Sequence, residues 1–171
     1  MKHISFRNDV LPLKDILFRL ALRITLNREE AEDIVQETLI KVWNKREQWE
    51  EIESMEAFCL AICRNLAIDS TRKKGKNHAS LDEAAEASRQ DFAPNPLERA
   101  QQKDRIELVR RIVDSLPEKQ KSCMQLRDFE GKSYKDIASI LDISEELVKV
   151  SIFRARQTIK QRFQHMDDYG L

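Results

Sequence analysis

Residues 132–156 read KSYKDIASILDISEELVKVSIFRAR, and the spacing within this stretch decides the fold class. Ser133, with Asp136 three residues on, caps a short helix that carries Ile137, Ala138 and Leu141 at helical spacing. Ser144 then caps a longer helix whose inward stripe is Val148, Ile152, Ala155 and Ile159. Two helices joined by so short a turn, the second ending in cations, form the helix-turn-helix pattern that places its second helix in a DNA groove. Burying that stripe leaves Glu145, Glu146, Lys149, Val150, Phe153, Arg154 and Gln157 facing outward. Lys and Arg can bond guanine edges or phosphates, and Val and the Phe ring offer apolar contact to a thymine methyl. From Lys132 to Phe163 cations outnumber anions only modestly, so phosphate is attracted but tight binding needs help from a partner.

Moving outward, Pro117 opens the preceding helix and Gly131 closes it. Asn95-Pro96-Leu97-Glu98 combines an N-cap, a Pro at the first helical position and a Glu completing the capping box, which predicts a helix to about Asp114. Before it, Asp82, Glu83, Glu86 and Asp91 oppose Arg89 alone among small and polar residues, the composition of a flexible acidic linker. Further back still, Leu13, Ile16, Leu17, Leu20 and Ile24 mark a first helix ending near Asn27. Asn27 serves as N-cap to a second helix, with Glu30 completing its box, that should reach about Arg46. Its buried stripe is Ala31, Ile34, Val35, Thr38, Leu39 and Val42. Asp33, Gln36, Glu37, Ile40 and Asn44 point the other way, and Ile40 there reads either as a lone exposed Ile, which is common, or, amid carboxylates and an amide, as the apolar centre of a docking patch.

Ser54 caps a third helix with Met55, Phe58, Cys59, Ile62 and Leu66 on its inner side, where Asn65 and Asp69 also fall as hydrogen-bonded structural groups. Its far half turns basic, with Arg64, Arg72, Lys73, Lys74 and Lys76 against Asp69 alone. Such a run suits both the negative end of a helix dipole and DNA phosphate. The loop from Glu47 to Ser54 holds Trp49, a large aromatic that reads either as an exposed ring or as a hydrophobic plug at a helix end.

Only 3 Gly and 4 Pro in 171 residues, with 35% of them charged, leave little turn chemistry for strands, so the chain is expected to be all-α in two domains. Lys+Arg and Asp+Glu balance at 30 each, which makes the charge a matter of segments. Apolar runs are broken by charge and no signal-peptide order opens the chain, which points to a cytoplasmic protein without membrane insertion. Cys59, Cys63 and Cys123 lie inside apolar patterns and read as reduced core thiols. Cys59 and Cys63 stand one turn apart, but no second pair of ligands accompanies them, so neither a metal nor a cofactor is expected.

These motifs resemble those of a known family. Ala31-Glu32-Asp33-Ile34-Val35-Gln36-Glu37-Thr38 with Val42-Trp43 is similar to the core-polymerase-binding segment of sigma region two. Ala57-Phe58 through Ile62, then Arg64-Asn65-Leu66-Ala67 and Asp69, resembles the segment after it, which ends near the minus-ten element. Leu116-Pro117-Glu118-Lys119-Gln120, Glu130-Gly131-Lys132-Ser133-Tyr134, Asp136-Ile137-Ala138, Val148-Lys149 and Arg154-Ala155-Arg156 resemble sigma region four. With nothing similar to regions one or three, the chain resembles the minimal extracytoplasmic-function sigma factors. The resemblance implies region two over 1–76, a linker over 77–95 and region four over 96–171. It implies RNA polymerase core enzyme, promoter DNA and an anti-sigma factor as partners, and no small-molecule substrate. It implies core contacts at Asp33, Gln36, Glu37 and Ile40, and minus-ten contacts at Trp49, Arg64, Arg72, Lys73 and Lys74, with the Glu47 to Ser54 loop and Trp49 as the candidate surface that captures a displaced base. Minus-thirty-five contacts fall on Ser144, Lys149, Val150, Phe153, Arg154 and Arg156.

Leu39 stands where the family usually has Phe, Cys59 where it has Trp and Cys63 where it has Ala, all volume trades a core accepts. Leu147 and Val150-Ser151 depart from the usual recognition helix, so the promoter sequence does not carry over. One rival is a helix-turn-helix regulator with an unrelated N-terminal domain, which would bind its operator without polymerase. The other is an enzyme, but His3, His78 and His165 are scattered without a paired nucleophile or carboxylate.

Overall fold

A computed structural model describes residues 3–77 and 97–168, and among these every regular element is helical. Asp82, Glu83, Glu86, Asp91 and the Asn95-Pro96 start signal lie outside the described residues. A wide π-type turn (Phe6–Val10) and a short 3-10 turn (Leu11–Leu13) lead into α1 (Lys14–Thr25). There follow α2 (Arg28–Asn44), a 3-10 turn (Arg46–Glu51), and α3 (Met55–Asn77). The second half contains α4 (Leu97–Asp114), α5 (Glu118–Met124), a π-type turn (Gln125–Phe129), α6 (Tyr134–Leu141) and α7 (Glu145–Asp168).

The boundaries follow the capping chemistry. Leu26 ends α1 in a left-handed conformation, φ 58°, its N–H donating to the Leu22 carbonyl at 2.8 Å. The next residue, Asn27, accepts from the Glu30 N–H at 3.0 Å and starts α2. Ser54, Ser133 and Ser144 accept from the N–H of Ala57, Asp136 and Leu147 at 3.1, 3.0 and 3.1 Å, opening α3, α6 and α7. Gly131, φ +69°, turns the chain between the π-type turn and α6 in a conformation that a side chain would strain. The second helix stops at Asn44, short of the predicted Arg46, because the chain tightens into the 3-10 turn that carries Trp49 inward.

The α1 stripe Ile16, Leu17, Leu20, Ala21 and Ile24 packs on Ala31, Ile34, Val35 and Val42 of α2 and on α3. Thr38 lies in the same stripe, and its hydroxyl donates to the Ile34 carbonyl at 2.7 Å, which satisfies a polar group where no water reaches. The third helix departs from the expected single inner side. Leu60, Cys63 and Ala67 are fully buried together with Cys59, while Met55, Phe58, Ile62 and Leu66 are half-buried. The added burial comes from the second half of the chain. Cys123, Leu126, Ile137, Ile140, Leu141, Val148 and Ile152 join the same apolar cluster, and α6 packs on α3 and α5 on α1. A second cluster of Val113, Leu116, Met124 and Ala155 ties α4, α5 and α7 to one another. The two halves are thus packed against each other. Asn65 and Asp69 correct the sequence reading: both are exposed, because the apolar surface of α3 is shared by two neighbours and the polar pair occupies what remains.

All three cysteines are buried free thiols, as their apolar settings suggested. Burial pushes Cys59 and Cys63 up to about 12 and Cys123 up to about 11. Two outcomes follow at the bench. The native protein should react with a thiol reagent orders of magnitude more slowly than the unfolded chain at neutral pH, because the thiolate is the reactive form. The folded state also keeps protons that the unfolded thiols release near pH 9, so stability should fall as pH rises from about 9 through 11 and 12. Native labelling at the unfolded rate would contradict the buried placement.

Candidate functional site

The outward face of α2 carries a compact apolar patch within a polar surround. Asp33, Gln36, Glu37 and Ile40 are all exposed, Ile40 by 59%. Trp43, one turn on, is exposed as well, and Ile40, Trp43, Leu39 and Phe6 line an open apolar depression of about 340 Å³. Phe6 was not anticipated, since it precedes the helices and no periodicity marks it. It meets the Trp43 ring edge-on at 5.5 Å and stacks on Trp49 at 6.5 Å, which brings the N-terminal turn into the patch.

Trp49 takes the plug position. It is 6% exposed, and its indole N–H donates to the Val42 carbonyl at 3.0 Å, satisfying the end of α2. The ring that the sequence offered for base capture is therefore committed to the core: a large apolar group beside an open helix end gains more from burial than from water. The remaining minus-ten candidates separate. Arg72 and Lys73 are exposed at the end of α3, whereas Lys74 is ion-paired with Glu30 of α2. Arg64 faces the other half of the chain, its Nε and Nη2 donating to the two Glu118 oxygens at 2.9 and 2.8 Å. The basic group read from the sequence is thus divided between open and paired cations.

On α7 the outward residues fall as expected. Lys149, Val150, Phe153 and Arg154 are exposed along one side, Phe153 by 60%, with the Ser144 cap at its N-terminal end. Val148, Ile152 and Ala155 are buried beneath them, and Ser151 is buried too. Lys149 Nζ lies 5.4 Å from the centroid of the Tyr134 ring, which fixes the direction in which its charge is presented. Arg156 differs from the others. Its guanidinium is held bidentately by Asp128 of the π-type turn, which keeps it above its ordinary value and anchors α7 to the turn.

Ion pairs also cross between the two halves. Arg19 donates from Nε and Nη2 to Glu130 at 2.5 and 2.9 Å. Arg23 reaches Gln125 at 2.9 Å and Asp114 at 3.5 Å, and Lys132 pairs with Glu56. No periodicity or motif pointed to these contacts, because each joins residues far apart in the chain.

Comparisons with known proteins agree with this geometry. Residues 10–77 match the family model described as Sigma-70 region 2, and residues 106–159 match Sigma-70, region 4. The chain is 30% identical over 162 residues to the RNA polymerase sigma-H factor of Pseudomonas aeruginosa, covering 91% of this chain and 84% of that protein. It is 26% identical over 155 residues to the ECF RNA polymerase sigma factor SigM of Bacillus subtilis, covering 91% and 88%. Its fold is similar to that of the sigma factor RpoE from Bartonella quintana in complex with the anti-sigma factor NepR. That likeness has TM-score 0.69 and 23% identity, over 93% of this chain and 96% of that one. Because the two regions follow in order along nearly the whole chain, with a helix-turn-helix in the second, the chain belongs to the sigma-70 family as an extracytoplasmic-function (ECF) sigma factor, which binds RNA polymerase core enzyme and directs promoter-specific initiation of transcription.

Proposed function

We propose that the outward face of α2 is the polymerase-docking surface and the outward face of α7 the reader of the minus-thirty-five element. The observation that carries this reading is the pairing of exposed apolar groups with opposite charge fields. Ile40 lies on the same face as Asp33 and Glu37, with Trp43 beyond it under the Arg46 guanidinium, whereas Val150 and Phe153 lie beside Lys149 and Arg154. An apolar centre within a carboxylate rim suits a basic protein surface, and an apolar centre among cations suits a DNA groove. Arg72 and Lys73 extend from α3 as phosphate contacts for the minus-ten element, joined by Lys74 and Arg64 once their carboxylate partners release them. Residues 1–76 then act as the region-two unit and 96–171 as the region-four unit. Core polymerase holds both on one promoter, so the second DNA contact is effectively intramolecular and modest charge suffices.

The chain works as an initiation factor and not as a catalyst, in the cytoplasm, where its polymerase partner is found. None of the described helices is long and apolar enough to cross a membrane. An anti-sigma factor is its further partner. The fold likeness to a sigma factor solved with one supports this, because such a partner would meet the same arrangement of helices.

Transcription in vitro with core polymerase tests the reading. Glu37→Lys should leave helicity intact and weaken core binding about tenfold, roughly 1.4 kcal/mol. Unchanged affinity would remove α2 as the docking face. Arg154→Ala should relax the preference at one base pair of the minus-thirty-five element by about 1–3 kcal/mol. Loss of a phosphate-binding Lys should instead weaken all sequences alike, so an unaltered preference at every position would take Arg154 out of the base contacts.

A further inference from the structure

Ile40 and Trp43 stand on the convex face of a helix, yet the surface that they share is concave, because a ring from outside the helix forms its other wall. We propose that this ring, Phe6, is a positioning residue for polymerase docking: it holds Trp43 in place and completes a socket for one apolar side chain of core polymerase. This rests on the reading of the outward face of α2 as the polymerase-docking surface. Phe6 stands ahead of Val10, where the region-two match begins, so the wall is supplied by this chain's own N-terminal turn.

The turn is anchored at both ends. Val10 is fully buried, and Ile4 is half-buried against the same apolar cluster as α1, α2 and α3. The Ser5 N–H donates to the Asp9 carboxylate at 2.6 Å and the Asp9 N–H to the Ser5 carbonyl at 2.8 Å, which closes the turn on itself. Between these anchors Phe6 is half-buried and stacks on the buried Trp49 ring. Trp43 is thereby confined on several sides. Phe6 meets it edge-on at 5.5 Å and Trp49 at 6.1 Å, and the Arg46 guanidinium lies 4.7 Å over its ring while donating to the Trp43 carbonyl at 3.2 Å. A Trp that is 45% exposed but so held keeps its orientation in the free chain, and docking has less side-chain freedom to remove.

The chemistry of the socket selects its occupant. Phe6, Leu39, Ile40 and Trp43 line an open, almost wholly apolar depression of about 340 Å³, and Asp33 and Glu37 share the α2 face with Ile40. An aliphatic or aromatic side chain flanked by cations suits both features, and an anchor seated in a preformed pocket is where binding energy concentrates. A second copy of this chain suits them less. An isologous contact would bring Asp33 and Glu37 of both copies together, and like charges oppose it.

Equilibrium binding of the full chain to core polymerase tests the socket, with every variant assayed well below its melting temperature. Phe6→Ala should weaken binding about tenfold, and Phe6→Leu, which keeps apolar packing but not the ring, about threefold. Phe6→Tyr keeps the ring and should stay within about twofold of the wild type. A wall that acts through the socket is coupled to Ile40. On an Ile40→Ala background Phe6→Ala should therefore cost less than about threefold, whereas a change that merely loosens the fold costs the same about tenfold on either background. Equal cost on both backgrounds, or core affinity unmoved by Phe6→Ala and Phe6→Leu, would overturn the proposal. Where Phe6→Ala melts below the assay temperature, Phe6→Leu decides by the same comparison. The docking reading fails separately: Ile40→Ala binding core enzyme as tightly as the wild type removes the α2 face itself, while loss with Ile40→Ala and none with Phe6→Ala removes only the wall. Sedimentation of the free chain separates the occupants, since a wild-type dimer that Phe6→Ala dissolves would give the socket to a second copy and overturn its assignment to polymerase.

Discussion

Arg64 leaves the middle of α3 and closes a two-point ion pair on Glu118, at a point where α3 is already covered by α1 and α2 on one side. The rest of the structure depends on this two-sided burial of α3. A helix packed on one neighbour needs a single apolar stripe, but Cys59, Leu60, Cys63 and Ala67 form one stripe and the half-buried Phe58, Ile62 and Leu66 extend it round α3 beyond what one stripe spans. The second half of the chain supplies the missing cover with Cys123, Leu126, Ile137 and Ile140, and the ion pairs fix its register. Hydrophobic burial provides most of the driving force here and is non-directional, whereas the charge pairs are directional and set the orientation.

The same division of labour explains the exposed faces. Ile40, Trp43, Val150 and Phe153 remain exposed to water. They stand on the far sides of α2 and α7, whose inner stripes are complete without them. Trp43 still packs edge-on against Phe6 and Trp49, but Ile40 and Phe153 present their side chains largely to water, Ile40 on a face with Asp33 and Glu37 and Phe153 on one with Lys149 and Arg154. A protein of zero formal net charge thereby offers an apolar surface with carboxylates around Ile40 and another with cations around Phe153.

Much of this was legible in the sequence. The stripes of α1, α2, α6 and α7 and the caps at Asn27, Ser54, Ser133 and Ser144 are local signals, and local hydrogen bonds and periodicity determine them. The outward placement of Asp33, Glu37, Ile40, Lys149, Phe153 and Arg154 follows from the same periodicity. What escaped depends on distant residues. Asn65 and Asp69 were assigned inward because the second cover of α3 was not visible to a local pattern. Phe6 joins the apolar patch on α2 through its ring contacts with Trp43 and Trp49, which no local pattern marks. Arg64 was read as an open cation because Glu118 lies far along the chain, and Arg156 because Asp128 reaches it only once the π-type turn has formed. For Trp49 both fates were written in its chemistry, and the inward turn after α2, which brings its indole N–H to the Val42 carbonyl, decides between them.

Small-angle scattering from the free chain is the most direct measurement of whether the two halves hold each other. A closed chain of this length should give a radius of gyration of about 16–18 Å at low ionic strength, near the value for a single compact domain. A radius well above about 20 Å with a two-lobed distance distribution would show the halves apart and contradict the account.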